Sequence, residues 1–182
     1  MQPMEHNHDW TETRKGFNNK TIMNIRIGLG YDVHQLAAGE ELWLGGILIP
    51  HEKGTVAHSD GDVLLHAICD ALLGAAGLRD IGYHFPDTDS AYKNIDSKKL
   101  IEYVYHKIKE KGYVLVNLDA TISAQRPKLR DWIPSMEAIV AQILESSKEQ
   151  VNIKATTTER LGFEGREEGI SVQAIVLIEK QG

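Results

Sequence analysis

The chain has 182 residues, of which 42% are hydrophobic and 25% charged, and its formal net charge is −6. These values are typical of a single folded domain. The acidic balance argues against a general nucleic-acid binder, which needs basic residues to neutralise phosphates. A small anionic substrate is still compatible, because local cations, backbone amides or a metal ion can hold phosphate in an acidic protein.

The chain has one cysteine, Cys69, so an intrachain disulfide and a zinc site built of thiolates are both excluded. No apolar stretch is long enough to span a bilayer. Residues 1–24 are polar and lack the apolar centre of a signal peptide, so we expect a disordered N-terminal extension there. A cytoplasmic protein with no membrane partner is therefore predicted.

The first half of the chain predicts strands, a hairpin and a helix. In chain order these are a strand over residues 25–34, a hairpin of 41–44 and 47–49, and a helix from about 60 to 77. Glycines within the first strand mark a place where another element approaches the backbone closely. Ser59 or Asp60 is the expected N-cap of the helix. Turn formers and carboxylates predict an exposed loop that includes residues 80–82 and 85–89.

The second half contains the clearest helical periodicity. The predicted elements are a helix from Asp96 or Ser97 to Gly112, a half-buried strand over 116–123, a helix that begins near Pro134, and strands over 151–157 and 170–178. Val116, Leu118, Ala120 and Ile122 are expected on the buried face of the middle strand.

The last strand is apolar on both of its faces, with Val172 and Val176 on one and Ile175 and Leu177 on the other. A strand of this kind needs cover on both sides. Three helices can cover one face of a small sheet. We therefore predict a single α/β (α+β) domain over residues 25–180, with a small mixed sheet, helices on one face and another subunit of an obligate oligomer on the other.

Asp32, His34 and His66 form a candidate metal site. Asp32 and His34 are two residues apart on a predicted strand, so their side chains share a face. An Asp/His/His set with one open position suits a catalytic zinc or a similar ion. From spacing alone the alternatives stay open, because such a pair is often a hydrogen-bonded surface pair and a helical histidine is often a core residue.

Two residues near His66 have similarly open roles. Asp62 precedes His66 by four residues, on the same helical face. It could fix the tautomer of the histidine, or be a carboxylate favoured by the helix dipole. His58 lies where helix N-terminal amides attract anions, but it could also be a loop histidine without a specific role.

Two further segments carry phosphate-binding chemistry. Residues 154–159 and 162–166 supply hydroxyls, exposed amides and an arginine, and Glu159 could ligate a harder ion such as Mg²⁺. Threonine is common at strand ends in any case. Residues 124–129 could hold a base with backbone groups and a phosphate with Lys128, or be a solvated basic turn.

Five motifs occur together and in order. They are Gly-Tyr-Asp-Val-His at 30–34, His-Ser-Asp-Gly-Asp-Val-Leu-Leu-His at 58–66, Asp-Ile-Gly at 80–82, Phe-Pro-Asp-Thr-Asp at 85–89 and Lys-Ala-Thr-Thr-Thr-Glu at 154–159. With these motifs the chain resembles the 2-C-methyl-D-erythritol 2,4-cyclodiphosphate synthase family over residues 25–180. The resemblance implies cyclisation of 4-diphosphocytidyl-2-C-methyl-D-erythritol 2-phosphate with release of CMP, in the non-mevalonate route to isoprenoids.

The resemblance also implies roles for individual residues. Asp32, His34 and His66 match zinc ligands, and Glu159 matches the ligand of a Mg²⁺ or Mn²⁺ ion on the diphosphate. His58 and Thr157 match positions that stabilise the transition state. The residues that match substrate-binding positions are Asp32, Val33, His34, His58, Ser59, Asp80, Ile81, Gly82, Phe85, Pro86, Asp87, Thr88, Asp89, Ala124, Gln125, Arg126, Pro127, Lys128, Leu129, Arg130, Thr156, Thr157, Thr158, Glu159, Phe163 and Arg166.

The implied assembly is a homotrimer with its sites between subunits, and Phe163 and Arg166 resemble residues near a central apolar cavity that takes prenyl diphosphates. Two rival functions differ in class. A metal-dependent phosphohydrolase would give linear phosphates instead of a cyclic product. A non-catalytic prenyl-diphosphate-binding trimer would have no need of two metal sites.

Overall fold

The computed structural model describes residues 24–86 and 95–181. The strands are Ile25–Ala38 (β1), Leu42–Leu44 (β2), Ile47–Ile49 (β3), Lys53–Thr55 (β4), Tyr113–Ser123 (β5), Val151–Thr156 (β6) and Gly169–Lys180 (β7). The helices are Val63–Ala76 (α1), Ile81–His84 (α2), Ser97–Glu110 (α3), Ile133–Ile143 (α4) and Gly162–Gly165 (α5).

Five strands form one mixed sheet in the order β4-β1-β7-β5-β6, and β2 and β3 form the predicted hairpin. Only β5 and β6 pair in parallel within the larger sheet; its other pairs are antiparallel. Helices α1, α3 and α4 pack on one face of this sheet around a single core. The mixed α/β architecture is therefore the predicted one.

Two glycines let β1 lie unusually close to α1. A Cβ atom on Gly28 would be 1.9 Å from the carbonyl oxygen of Ala71, and one on Gly30 would be 1.9 Å from that of Ala67. No side chain fits against backbone at that distance, so glycine is required at both positions. The close approach places the next inward-facing residues of β1, Asp32 and His34, against the helix.

Helix α1 begins later than the sequence suggests. Its N-cap is Asp62, and the expectation of Ser59 or Asp60 is wrong. The fully buried Asp62 carboxylate accepts hydrogen bonds from the backbone amides of Leu65 (3.0 Å), Gly45 (3.0 Å) and Gly46 (2.7 Å). These bonds fix the turn of the β2-β3 hairpin to the start of α1. Burial raises the pKa of Asp62, although the three amide bonds oppose that shift.

Two local predictions are corrected. In β5 the pairing with β7 shifts register between Leu115 and Asn117, so Leu115 is buried and Val116 is not, whereas the predicted alternation holds from Leu118 onward. The segment after α1, expected to be loop, contains the short helix α2, whose N-cap is Asp80. Asp96 caps α3 as expected.

Among residues 24–86 and 95–181, nothing covers the face of the sheet opposite the helices, and that face is apolar. Along β1 the outward side chains include Ile27 (69% exposed), Leu29 (65%) and Tyr31, and Ile175 lies beside them on β7. The helix-facing side chains of β7, such as Val172 and Val176, are fully buried. The prediction of helix cover on one face is confirmed. No helix in the described part of the chain is long and apolar enough to cross a membrane.

Candidate active site

The three predicted metal ligands converge on one point. Oδ2 of Asp32 lies 3.0 Å from Nε2 of His34 and 3.1 Å from Nδ1 of His66, and the two histidine nitrogens are 3.2 Å apart. Asp32 and His34 come from β1 and His66 from α1, so the glycine-mediated contact between these elements assembles the triad. The three residues are grouped as the sequence predicted.

The donor set fits a divalent metal ion. A carboxylate oxygen and two imidazole nitrogens are ordinary zinc ligands, and three protein ligands leave a position for substrate. Nδ1 of His34 lies 3.4 Å from the carbonyl oxygen of Val56, which can only accept a hydrogen bond. Protonation of that nitrogen leaves Nε2, which faces Asp32, as the nitrogen with a free lone pair.

The electrostatics of the triad keep its carboxylate ionised. Burial alone would raise the pKa of Asp32, but the hydrogen bonds that His34 and His66 donate when their rings are protonated, in the absence of metal, outweigh it and hold that pKa well below its usual range. Burial would lower the pKa of His34, and the hydrogen bond to Asp32 raises it above the ordinary value instead. A cation at this point therefore meets a negatively charged carboxylate, and it must compete with the proton that His34 binds more readily than a free imidazole does.

Asp62 is not the partner that orients His66. Its carboxylate bonds are those of a buried helix cap, so the second of the two readings of this residue is the supported one. The groups next to Nε2 of His66 are the hydroxyls of Ser97, at 2.9 Å, and Ser59, at 3.4 Å. The sequence gives no signal for Ser97 as a partner of His66, because the two residues are 31 apart and the pattern around Ser97 predicts only a possible helix cap.

The parallel pairing of β5 and β6 unites the two segments predicted to bind the nucleotide and its phosphates. The amide of Ala124 donates to the carbonyl of Thr156 at 3.0 Å, and the amide of Arg160 donates to Oε1 of Gln125 at 3.3 Å. The Thr157 hydroxyl donates to Oε1 of Glu159 at 2.9 Å, within the turn that follows β6, so these two side chains meet although neither lies on the strand. Within residues 124–130 and 156–159, the exposed side chains are those of Arg126, Lys128, Arg130, Thr156 and Glu159.

The predicted substrate-binding residues at 80–82 and 85–86, called the substrate wall below, lie in and around α2. Oδ1 of Asp80 accepts from the amide of Tyr83 at 2.9 Å, and the amide of Ile81 donates to Oδ1 of Asp70 on α1 at 2.7 Å. The ring of Phe85 packs edge-on against Tyr103, with centroids 5.2 Å apart. The wall is thus attached to α1 and α3. The predicted residues Asp87, Thr88 and Asp89 lie outside the described residues.

Further predicted site residues lie outside the triad and differ in how exposed they are. His58 and Gly82 are exposed, and Val33 lies on the apolar face away from the triad, at 44% exposure. Phe163 is half-buried in α5, and the guanidinium of Arg166 forms two bonds with Glu168, of 3.0 and 2.9 Å. Leu129 is buried, so only its backbone is available to a base.

Comparison with known proteins gives the same family from sequence and structure. The model of the YgbB family matches residues 25–179. The 2-C-methyl-D-erythritol 2,4-cyclodiphosphate synthase of Bacteroides fragilis is 61% identical over 158 residues, which cover 87% of this chain and 99% of that protein. The structure of IspF from Plasmodium falciparum in complex with CDP is 32% identical, with a TM-score of 0.78, and covers 87% and 98% of the two chains.

A further similar structure is a larger protein. The bifunctional IspDF from Campylobacter jejuni is 45% identical, with a TM-score of 0.84 over 87% of this chain. The chain spans 43% of that protein.

Proposed function

We propose that this chain, which belongs to the YgbB family, converts 4-diphosphocytidyl-2-C-methyl-D-erythritol 2-phosphate to 2-C-methyl-D-erythritol 2,4-cyclodiphosphate and CMP. It would thus be a cyclising phosphorus–oxygen lyase of the non-mevalonate isoprenoid pathway. Relatives named for this product are 61% identical over nearly their whole length. The observation that carries the proposal is the convergence of Asp32, His34 and His66 within 3.2 Å on that family's fold.

The reaction is an intramolecular phosphoryl transfer. An oxygen of the 2-phosphate attacks the β-phosphorus, the bond from that phosphorus to the bridging oxygen breaks, and CMP leaves with the electron pair. Two anionic groups must be held together and in line, so positioning and charge neutralisation supply most of the catalysis. Asp32, His34 and His66 would hold Zn²⁺, which supplies Lewis-acid polarisation of a phosphate oxygen.

Other described residues would bind the phosphates, the second metal ion and CMP. Thr157 would donate a hydrogen bond from its hydroxyl to a phosphate oxygen once substrate replaces its bond to Glu159. Glu159 would hold the Mg²⁺ or Mn²⁺ ion that accompanies the diphosphate. The exposed cations of the 124–130 loop are Arg126, Lys128 and Arg130, and Gln125 of this loop accepts the amide of Arg160, beside the turn where CMP is expected. His58 and Ser59 lie in the loop just before the N-terminus of α1, where the 2-phosphate is expected.

Strand register supports a site shared between subunits. Asp32 pairs with Val172, Val172 with Ile122, and Ile122 with Ala155, so the triad and the Thr157–Glu159 turn lie at the same end of the sheet. Three strand spacings of about 4.8 Å place β1 and β6 about 14 Å apart. One diphosphate is too short to reach both groups within one protomer. We infer that the triad of one subunit faces the phosphate turn of its neighbour.

The uncovered apolar face supplies the surface for that assembly, which we propose to be a homotrimer. Its outward side chains on β1 and β7 would give a lone protomer a contiguous apolar patch. The earlier expectations of a prenyl diphosphate near Phe163 and Arg166, and of a cytoplasmic location, stay predictions.

The assembly is tested by sedimentation at micromolar concentration. The unaltered protein should sediment as a trimer, and Leu29→Lys should dissociate it and lose activity, because the new charge would be buried at the interface. Glu102→Lys adds the same side chain to an exposed position on α3, on the helix side of the sheet, and should leave the trimer intact. A fully active monomer would refute both the trimer and the shared site.

Product analysis tests the proposed reaction itself. Purified protein, substrate, Zn²⁺ and Mg²⁺ should yield CMP and a single cyclic diphosphate in phosphorus NMR spectra. Linear phosphates in place of the cyclic compound would favour the phosphohydrolase, and no turnover by a metal-loaded trimer would favour a binding protein.

A further inference from the structure

The second ring nitrogen of His66 points away from the triad into a buried polar chain. Nε2 lies 2.9 Å from Oγ of Ser97, a residue with no exposed surface. The Ser97 hydroxyl is 2.5 Å from Oδ1 of Asp60, and the Ser97 amide is 2.9 Å from Oδ2 of the same carboxylate. Three elements therefore meet at this chain: helix α1, the loop that precedes it, and the first turn of α3.

The chemistry of these groups fixes the direction of each hydrogen bond. An ionised carboxylate only accepts, so the single hydroxyl hydrogen of Ser97 is committed to Asp60. The oxygen of Ser97 then presents a lone pair to His66, and Nε2 of His66 must carry the proton. Nδ1, the nitrogen 3.1 Å from Asp32, is left with its lone pair directed into the triad.

We propose that Ser97 and Asp60 are positioning residues that hold His66 in the tautomer and ring orientation needed to bind the metal ion through Nδ1. The inference rests on the metal-binding part of the proposed function. Outer partners of this kind commonly affect metal affinity strongly. Nothing in the motif around His66 indicates Ser97.

Ser59 is the competing partner for the same nitrogen. Its hydroxyl oxygen lies 3.4 Å from Nε2, half an ångström farther than that of Ser97, and it already accepts the amide of Gly61 at 3.1 Å. The shorter contact is therefore the one assigned to the Nε2 proton. The two serines can be separated by experiment because they belong to different elements.

Zinc affinity is the first readout, measured by competition with a chromophoric chelator. Ser97→Ala should weaken Zn²⁺ binding about 10- to 100-fold, the range typical for loss of an outer partner. The matched control is Asp96→Ala, which removes the N-cap of α3 by deleting its bond to the Lys98 amide and leaves the Ser97 hydroxyl in place. A merely structural role of Ser97 would make both variants lose the same affinity, and that result would overturn the proposal.

Nitrogen-15 NMR of the unaltered, zinc-loaded protein supplies a second readout that needs no variant to fold. We expect His66 to show a protonated Nε2, protected from exchange, and a metal-bound Nδ1, with the protection lost in Ser97→Ala. Zinc bound through Nε2 would overturn the proposal, as would a larger affinity loss in Ser59→Ala than in Ser97→Ala. Failure of the unaltered protein to bind zinc would instead count against the proposed function.

Discussion

Replacing His66 by alanine should abolish turnover and greatly reduce bound zinc while leaving the fold largely intact. The substitution removes one of three ligands that lie within 3.2 Å of one another. Alanine is the best helix former, and the neighbouring residues Ala67 and Ile68 continue to bury the core side of α1. The fold should therefore survive a change that leaves the metal ion only Asp32 and His34.

The measurement is metal analysis beside circular dichroism and a product assay. His106→Ala is the matched control, because His106 is an exposed helical histidine on α3 that pairs with Glu110, at 3.2 Å, away from the triad. It should retain zinc and activity. Undiminished zinc in the His66 variant, together with normal cyclisation, would refute the assignment.

Thr157→Val should mainly lower the turnover rate, whereas Glu159→Gln should mainly raise the Mg²⁺ requirement, although the two side chains are in contact. Thr157 is assigned a hydrogen bond that strengthens as charge moves to phosphate oxygen, so its loss should lower turnover by about 10²–10³. The Mg²⁺ concentration for half activity should hardly change. Glu159→Gln removes the charge that binds the ion, so that concentration should rise strongly and part of the rate should return at high Mg²⁺.

A Mg²⁺ titration of both variants on saturating substrate separates the roles. Only Thr157→Val removes the donor of the 2.9 Å bond between Thr157 and Glu159, because glutamine at position 159 keeps a side-chain oxygen that can accept it. A higher Mg²⁺ requirement in Glu159→Gln alone would therefore come from the lost charge and not from the lost bond. Identical metal dependence would show that the division of roles is wrong.

The sequence predicts most of the architecture because the spacing of its apolar residues follows which side of each strand or helix is buried. The alternation in β5 and the helical spacing in α3 each predict which side is buried, and the last strand, apolar on both faces, predicts cover on both sides. The exceptions are local. The register shift between Leu115 and Asn117 moves Val116 off the core face, and no residue type at these positions predicts such a shift.

The site is only partly readable from the sequence. Spacing places Asp32 and His34 on one face but says nothing about the distance to His66, which depends on how closely Gly28 and Gly30 let β1 approach α1. The grouping of the three residues follows from the motif resemblance. The resemblance does not indicate the contact between Ser97 and His66, because contacts between residues 31 apart depend on tertiary packing. It also does not indicate that Asp62 is a buried helix cap.

The central claim is that the substrate's own 2-phosphate, and not water, attacks the β-phosphorus. Turnover in water enriched in oxygen-18, followed by mass spectrometry of the products, tests this most directly. We predict CMP and a cyclic diphosphate that both lack solvent oxygen. A linear product that carries one oxygen-18 atom would contradict the account and identify a hydrolase.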